Sequence, residues 1–486
     1  SILALLPLSE LAPGEASPYN ALSSFALDPL HLCPAAIPEL RGRPARPPKR
    51  RGRRHSRVDR SWAREWKEPL FLEAFERFEA LPEDHPRRRA FRAFRRSRSS
   101  WLGDYSLFRG LLEENEWRSW KDWPEALRRR DPGALEDARA RLARRLRHLE
   151  YLQFTAEEAW RRVHDAAARQ GVALMGDLPF APSENSADVW ANPEVFDISR
   201  SIGAPPDDFS ATGQRWGLPM IRWGELRSRR WNWLRSRARR MAELYDSLRI
   251  DHVVGLFRTF YFVGDSPGDF DPADPARQRE QGREVLEVFR EEVGASKLVA
   301  EDLGTVPPFV RETLTALDVP GYKILRWERT EDGFVDPATY PDCSVATTGT
   351  HDTTTLGEWW AKELVASERR ELIALLEAGG AKVAFAGTDF KADPAGARLR
   401  RAVLERLYRS PSRAVILPIQ DLFGWRERIN VPGVIGEGNW SFRLPLSGAG
   451  LRSDRVLRRE VREIRRLIDA SGRLRRMDTS MAGRRV

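Results

Sequence analysis

The chain predicts an α/β protein, a (β/α)8 TIM-type barrel carrying an inserted, mainly helical subdomain. Three observations carry the prediction: short apolar runs that end in acidic residues, helical segments alternating with those runs, and a purely helical stretch that interrupts the alternation. Parallel strands buried on both faces read as nearly continuous apolar runs. Repeated helix–strand units joined by right-handed crossovers make a parallel sheet, and a barrel is its expected closure.

The first element, SILALLPLSELA, reads as a strand: it is too short to span a bilayer, and no basic stretch precedes it as in a secretory signal. With SPYNALSSFALDPLHL it makes a first segment, 1–32, of barrel strand and substrate-facing loop. Residues 33–155 read as a basic loop followed by the helical insertion. The loop RGRPARPPKRRGRRHSR at 41–57 is rich in Pro and Arg. Helical periodicity follows in EPLFLEAFERFEAL, RRAFRAFRRS, DYSLFRGLLEEN and one long run from ALEDARARLARR to VHDAAARQG. Gly171 suits a helix end, and the chain then enters VALMGDLPF.

Residues 156–486 read as the main part of the barrel with a C-terminal helix. RRWNWLRSRARRMAELYDSL precedes RIDHVVG, and ARQREQGREVLEVFREEVG precedes KLVAEDLG. PFVRETLTALDVPG precedes YKILRW, and RAVLERLYRS precedes AVILPIQDLFG. RSDRVLRREVREIRRLIDASGRLRRM reads as a closing helix. No internal repeat of fixed period is present.

Composition narrows the function classes. With 486 residues, 41% hydrophobic and 10% aromatic, the chain can bury a large core. Of its 81 basic residues only eight are Lys, and the Arg excess behind the net charge of +10 is spread over the predicted helices. The loop 41–57 has the charge of a phosphate-binding patch, but no aromatic interleaves it and no nucleic-acid motif follows, so nucleic acid is not an expected partner. Cys33 and Cys343 lie far apart and fit no metal spacing. This points to a reduced, cytoplasmic protein without disulfides, zinc or an iron–sulfur cluster.

The apolar runs end at Asp177, at Asp251, at Glu301 and Asp302, and at Asp352. Carboxylates at the C-terminal ends of barrel strands converge on one mouth. Splitting a glycosidic bond needs an acid to protonate the leaving oxygen and a second carboxylate that attacks the anomeric carbon or activates water. Asp251, Glu301 and Asp352 are spaced about fifty residues apart, as separate βα units would place them, and Arg249, His252 and His351 add charge and hydrogen-bond donors. One such acid could simply cap a helix or pair with an Arg. Four in one pattern weigh against that.

Seven ordered blocks sharpen the reading: GDLPF at 176–180, SADVWANPEVFD at 186–197, PPDDFSATGQRWGLP at 205–219, RIDH at 249–252, AEDLG at 300–304, GTHDTTTLG at 349–357 and NW at 439–440. They resemble, in this order, the motifs of the amylomaltases, the 4-α-glucanotransferases or disproportionating enzymes of the α-amylase-like superfamily. LPL at 6–8, SPYNALSSFALDPL at 17–30, WLGDYSLF at 101–108 and YLQF at 151–154 are similar to the same family, so the resemblance covers nearly the whole chain.

The resemblance implies transfer of α-1,4-glucan segments from a maltooligosaccharide donor to the 4-OH of an acceptor glucan or glucose. Asp251 would be the nucleophile of a retaining double displacement, Glu301 the acid and then base, and Asp352 the carboxylate that holds the donor's ring hydroxyls. Arg249 would keep Asp251 ionised. A sugar ring has apolar C–H faces and a hydroxyl rim. Tyr19, Phe209 and Trp216 are therefore platform candidates, and Ser17, Asp177, His252, His351 and Asn439 rim candidates. Trp190 suits packing as well as substrate contact. No organic cofactor and no metal is called for, the partners are α-1,4-glucans with no membrane, and oligomeric state leaves no trace in the sequence. A glucan hydrolase using the same carboxylates and a non-catalytic glucan-binding barrel stand as alternatives.

Three departures accompany the resemblance. Asp208 stands where many relatives have Tyr. Val253, Val254 and Gly255 follow the Asp-His pair where many relatives read Phe-Arg-Gly. The chain begins on the LPL strand, where relatives carry one more strand and helix, so a barrel missing its first βα unit, or filling that gap otherwise, is expected.

Overall fold

The computed structural model describes residues 1–43, 47, 57–206, 212–383, 390, 393–434, 436 and 438–473. Most of the basic loop 41–57 lies outside these residues. The chain divides into two compact units, one comprising Ser1–Arg54 and Asp59–Thr313, the other His55–Val58 and Leu314–Val486.

The first unit is built on a parallel sheet of four strands in the order β1 (Ile2–Ala4), β2 (Ala173–Leu178), β3 (Ser247–Ile250) and β4 (Leu298–Ala300). Leu174, Leu248, Ile250 and Ala300 are buried, as the apolar runs require. The register sets Asp177 beside Arg249, and Arg249 beside Val299. That pairing brings the polar side chains of neighbouring strands side by side at one end of the sheet. Helices Asn232–Leu244 and Pro275–Val293 lead into β3 and β4. The second starts on an Asp274 cap whose carboxylate accepts from the Arg277 N–H, with Pro275 in its first turn. Two glycines are fixed by close approach: a Cβ on Gly282 would lie 2.0 Å from the Phe257 ring, and one on Gly176 would lie 2.3 Å from the Tyr245 ring.

The helical insertion runs through Arg60–Glu79, Pro86–Ser97, Leu102–Glu114, Pro132–Arg141 and Ala143–Arg169. The long run expected from periodicity is thus two helices parted at Leu142. Phe75, Phe78, Phe91, Phe94, Tyr151 and Phe154 form its aromatic core. An ion cluster ties the insertion to the sheet's helices: Arg98 donates to Glu157 Oε1 at 2.7 Å and Arg240, from the 232–244 helix, to Oε2 at 2.8 Å. Burial alone would raise the Glu157 carboxyl, but the two guanidiniums outweigh it and hold the group at about 2.

Uninterrupted helix–strand alternation after residue 156 is corrected by the structure. A four-stranded antiparallel sheet, in the order Gln214–Ile221, Phe196–Ala204, Thr259–Val263 and Asp269–Asp271, stands among the parallel units. Its two longest strands are exposed or half-buried along much of their length and include Gly203, Gly217 and Pro219, which breaks the apolar signal that marks a buried strand.

The second unit holds three parallel strands in the order β5 (Gly321–Ile324), β6 (Ser344–Thr347) and β7 (Ala414–Val415), with helices Ala366–Ala378, Pro394–Tyr408 and Arg455–Ala470. Trp359, Trp360, Leu372, Leu376, Leu399 and Leu407 lie in its core. The run AVILPIQDLFG is strand only at its first two residues, because Pro418 opens a helix at Ile419–Phe423. The closing helix is Arg455–Ala470, started by an Asp454 cap and preceded by a short helix, Gly448–Ser453.

The fold is therefore α/β, with parallel strands in sheets of four and three; a ladder closing them into a barrel is not among the described residues. Among those residues no helix is long and apolar enough to cross a membrane.

Candidate active site

In the first unit the end of the parallel sheet carries a cluster centred on one guanidinium. Arg249, whose side chain is 7% exposed, donates through Nη1 to Asp177 Oδ1 at 2.5 Å and to Asp251 Oδ1 at 3.0 Å. Its Nη2 lies 3.0 Å from Glu301 Oε1, without the alignment of a hydrogen bond. Burial by itself would lower the guanidinium's affinity for its proton, and the carboxylates of Asp177, Glu301 and Asp251 reverse this and drive it well above the ordinary value. A fork of fixed geometry that is charged at every working pH faces three carboxylates at once.

Asp251 and Glu301 are each the residue directly after their strand, and the backbone fixes both. The Asp251 N–H donates to Leu178 O at 3.1 Å, and the Glu301 N–H to Ile250 O at 2.9 Å. Their side chains are 23% and 16% exposed, enough to meet a ligand while staying anchored. His252 adopts a left-handed backbone with φ 44°, which turns its N–H onto Glu301 Oε2 at 2.7 Å. Its ring is wedged edge-on between Phe180 and Trp216, 4.9 Å from the latter. Burial lowers the imidazole's pKa, against the pull of Asp251.

Asp177 is buried and supports the cluster from behind, accepting from the Tyr19 hydroxyl at 2.7 Å as well as from Arg249. Burial, then the Asp177 charge, pushes the Tyr19 phenol well above its usual range, so it remains a donor. Ser17 belongs to the same turn and its hydroxyl accepts from the Tyr19 N–H at 3.4 Å. Trp216 lies half-buried on the antiparallel sheet. Asp302 faces the other way and accepts from Arg311 at 3.1 Å. Trp190 is buried against Phe108 and Trp123, a packing residue. Phe209 and Asp208 lie outside the described residues.

The second unit carries the remaining candidates. Asp352 stands on the loop after β6, where GTHDTTTLG folds onto its own threonines: the Asp352 N–H donates to Thr350 Oγ1 at 3.2 Å, and a Cβ on Gly349 would fall 2.3 Å from Thr353 Oγ1. Two buried charged side chains pin the loop. Asp421 accepts from the Thr348 hydroxyl at 2.5 Å and the Leu356 N–H at 2.7 Å, and Arg326 reaches Thr348 O and Thr354. His351 Nε2 lies 3.3 Å from Asp352 Oδ2, with the Trp440 ring 5.5 Å from the imidazole. The Asn439 side chain staples its own loop, bonding Val431 N, Val431 O and Val434 O.

Sequence reasoning missed Asn430 and Arg428. Asn430 Nδ2 donates to Asp352 Oδ1 at 2.6 Å, and Arg428 to Asp352 O at 2.7 Å. Both sit before a Val-Pro-Gly turn, more than seventy residues from their partner, and no local pattern marks such a contact.

An α/β protein that gathers carboxylates on a buried guanidinium at the ends of parallel strands has the groups that an enzyme for glycosidic bonds uses. The glycoside hydrolase 77 profile, described as 4-alpha-glucanotransferase, matches residues 1–447. The 4-alpha-glucanotransferase of Thermus thermophilus is 32% identical over 472 residues, 92% of this chain and 89% of the relative. That of Chlamydia pneumoniae is 30% identical over 463 residues, 91% of this chain and 84% of the relative. Among solved structures, the amylomaltase from Streptococcus agalactiae in complex with acarbose is similar with a TM-score of 0.82 at 23% identity, over 97% of this chain and 92% of that one. The chain belongs to the glycoside hydrolase 77 family of 4-alpha-glucanotransferases, the amylomaltases, and is an enzyme acting on α-1,4-glucans.

Proposed function

We propose that the enzyme works by a retaining double displacement through a covalent glucosyl-enzyme. The observation that carries this reading is the shared hold of Arg249 on Asp251 and Glu301. Asp251, kept ionised, attacks C1 of the donor sugar while the bond from C1 to the leaving O4 breaks. Glu301 gives its proton to that oxygen. The 4-OH of an acceptor glucan or glucose then attacks C1, Glu301 takes the hydroxyl proton, and Asp251 leaves. Retention asks for carboxyl groups roughly 5 to 5.5 Å apart, with no room for an inverting water.

Asp352, with His351, is the carboxylate for the donor's ring hydroxyls. Tyr19, Phe209 and Trp216 supply apolar platforms, and Ser17, Asp177, His252 and Asn439 the polar rim. In the structure Asp177 and Asn439 already serve Arg249 and a loop, which favours an indirect part for both. Maltooligosaccharides are the ligands, as the acarbose complex of the Streptococcus enzyme suggests by its chemistry. The (β/α)8 barrel is the architecture to which this reading assigns the parallel strands, supported by their register and by the fold similarity. Two separate free thiols, Cys33 and Cys343, suit the cytoplasm.

Incubation with maltotriose tests the reading. Glucose appearing together with longer maltooligosaccharides, of retained α configuration, is expected. Reducing ends that accumulate without longer products would instead mark a hydrolase.

A further inference from the structure

We propose that Asn430 is a positioning residue for catalysis: it fixes the rotamer of the Asp352 carboxylate through its side-chain amide. The inference rests on the reading of Asp352 as the sugar-binding carboxylate.

The need for such a residue follows from where Asp352 stands. It lies on a loop five residues beyond the last strand residue, Thr347, with a side chain 39% exposed, so strand pairing does not fix its backbone and loop contacts must. Asn430 is buried and held at both ends of its own backbone. Its N–H donates to His351 O at 3.1 Å, and its carbonyl accepts from Arg428 Nε at 2.7 Å. Arg428 in turn donates to Asp352 O. The peptide groups of 351, 352 and 430 are thereby laced together, and the Asn430 side chain carries that rigidity to the carboxylate at 2.6 Å.

The amide suits this task. A carboxylate offers about four acceptor positions, and the Asn430 N–H takes one of them on Oδ1. A cation at the same place would hold the charge strongly and compete with sugar hydroxyls. A neutral donor orients the group and leaves it anionic.

Four variants test the proposal: Asn430→Ala, Asn430→Asp, Asp352→Asn, and Asn430→Ala combined with Asp352→Asn. Removing a hydrogen bond to a charged group should lower kcat on maltotriose about 10- to 100-fold in Asn430→Ala. In Asn430→Asp, two carboxylates meet at hydrogen-bond distance and repel at neutral pH. On acidification a shared proton supplies an O–H donor in place of the amide, so the activity ratio of variant to wild type should rise. His351 and Arg428 face the pair; both proteins carry them, so their titration largely cancels in the ratio. In the Asp352→Asn background, where the charge is gone and only a neutral acceptor remains, Asn430→Ala should cost much less than in the wild type.

Wild-type kcat in Asn430→Ala, with Asp352→Asn inactive, would overturn the inference and leave the reading of Asp352 standing. Additive losses in the double variant would overturn it too, since Asn430 would then act independently. Full activity of Asp352→Asn would instead remove the reading beneath it. Should Asn430→Ala fail to fold, the isosteric Asn430→Asp carries the test, and a pH-independent ratio overturns the proposal.

Discussion

The two units hold their acids by different means. Asp251 and Glu301 directly follow parallel strands, so backbone hydrogen bonds to Leu178 and Ile250 set their place before any side chain acts. Asp352 has no such anchor and depends on Thr350, Asn430 and Arg428, on a loop pinned by Asp421 and Arg326. A strand end fixes the backbone of such a residue and leaves Arg249 to orient the side chain. A loop does so only through long-range tethers, each a separate point of failure.

That contrast is open to attack in order of expected effect. Asp251→Asn keeps shape and loses the proposed nucleophile, so transfer from maltotriose should fall by about 10⁴-fold or more while oligosaccharide binding, read by calorimetry, persists. Wild-type turnover in that variant would remove the nucleophile from the account. Arg249→Lys replaces a fork that serves three carboxylates by a point charge, and kcat should fall about 100-fold. A loss below about threefold would mean that the strand ends alone suffice.

Asp421→Ala should act through the loop. It strands the Thr348 hydroxyl and the Leu356 N–H, at a cost of about 2 kcal/mol in denaturant unfolding and about tenfold in kcat. If kcat falls as far as in Arg249→Lys, the loop is no softer than the strand ends and the comparison fails. The smallest effect on turnover belongs to Glu157, which acts on stability and stops contributing in acid. Its carboxyl is held at about 2 against an ordinary 4.5. The stabilisation, about 3 kcal/mol, is complete above about pH 4.5 and is lost as the pH falls through about 2. Glu157→Gln should flatten the acid arm of the stability profile over that window, and an unchanged arm would place acid sensitivity elsewhere.

Legibility in the sequence followed the same division. RID and AED could be read because strand and acid are adjacent in the chain, and the spatial neighbour Arg249 lies two residues before Asp251. The register of Asp177 on Arg249 follows from pairing two such strands. Asn430 and Asp421 touch the Asp352 loop from across 65 to 78 residues, and nothing in RIN or IQD announces it. The antiparallel sheet escaped because its strands are half-exposed and broken by glycine and proline. The run AVILPIQDLFG was misjudged because an apolar stretch outweighed the helix start that Pro418 imposes.

The central claim is that Asp251 becomes covalently glucosylated while Glu301 manages the proton. Trapping tests it most directly. In Glu301→Gln, an α-glucosyl fluoride donor, whose leaving group needs little acid assistance, should glucosylate the enzyme without a base to complete turnover. Mass spectrometry of the digested protein should then show one added hexosyl group on the peptide containing Asp251. An adduct on another carboxylate, or a product of inverted anomeric configuration with no adduct at all, would contradict the account.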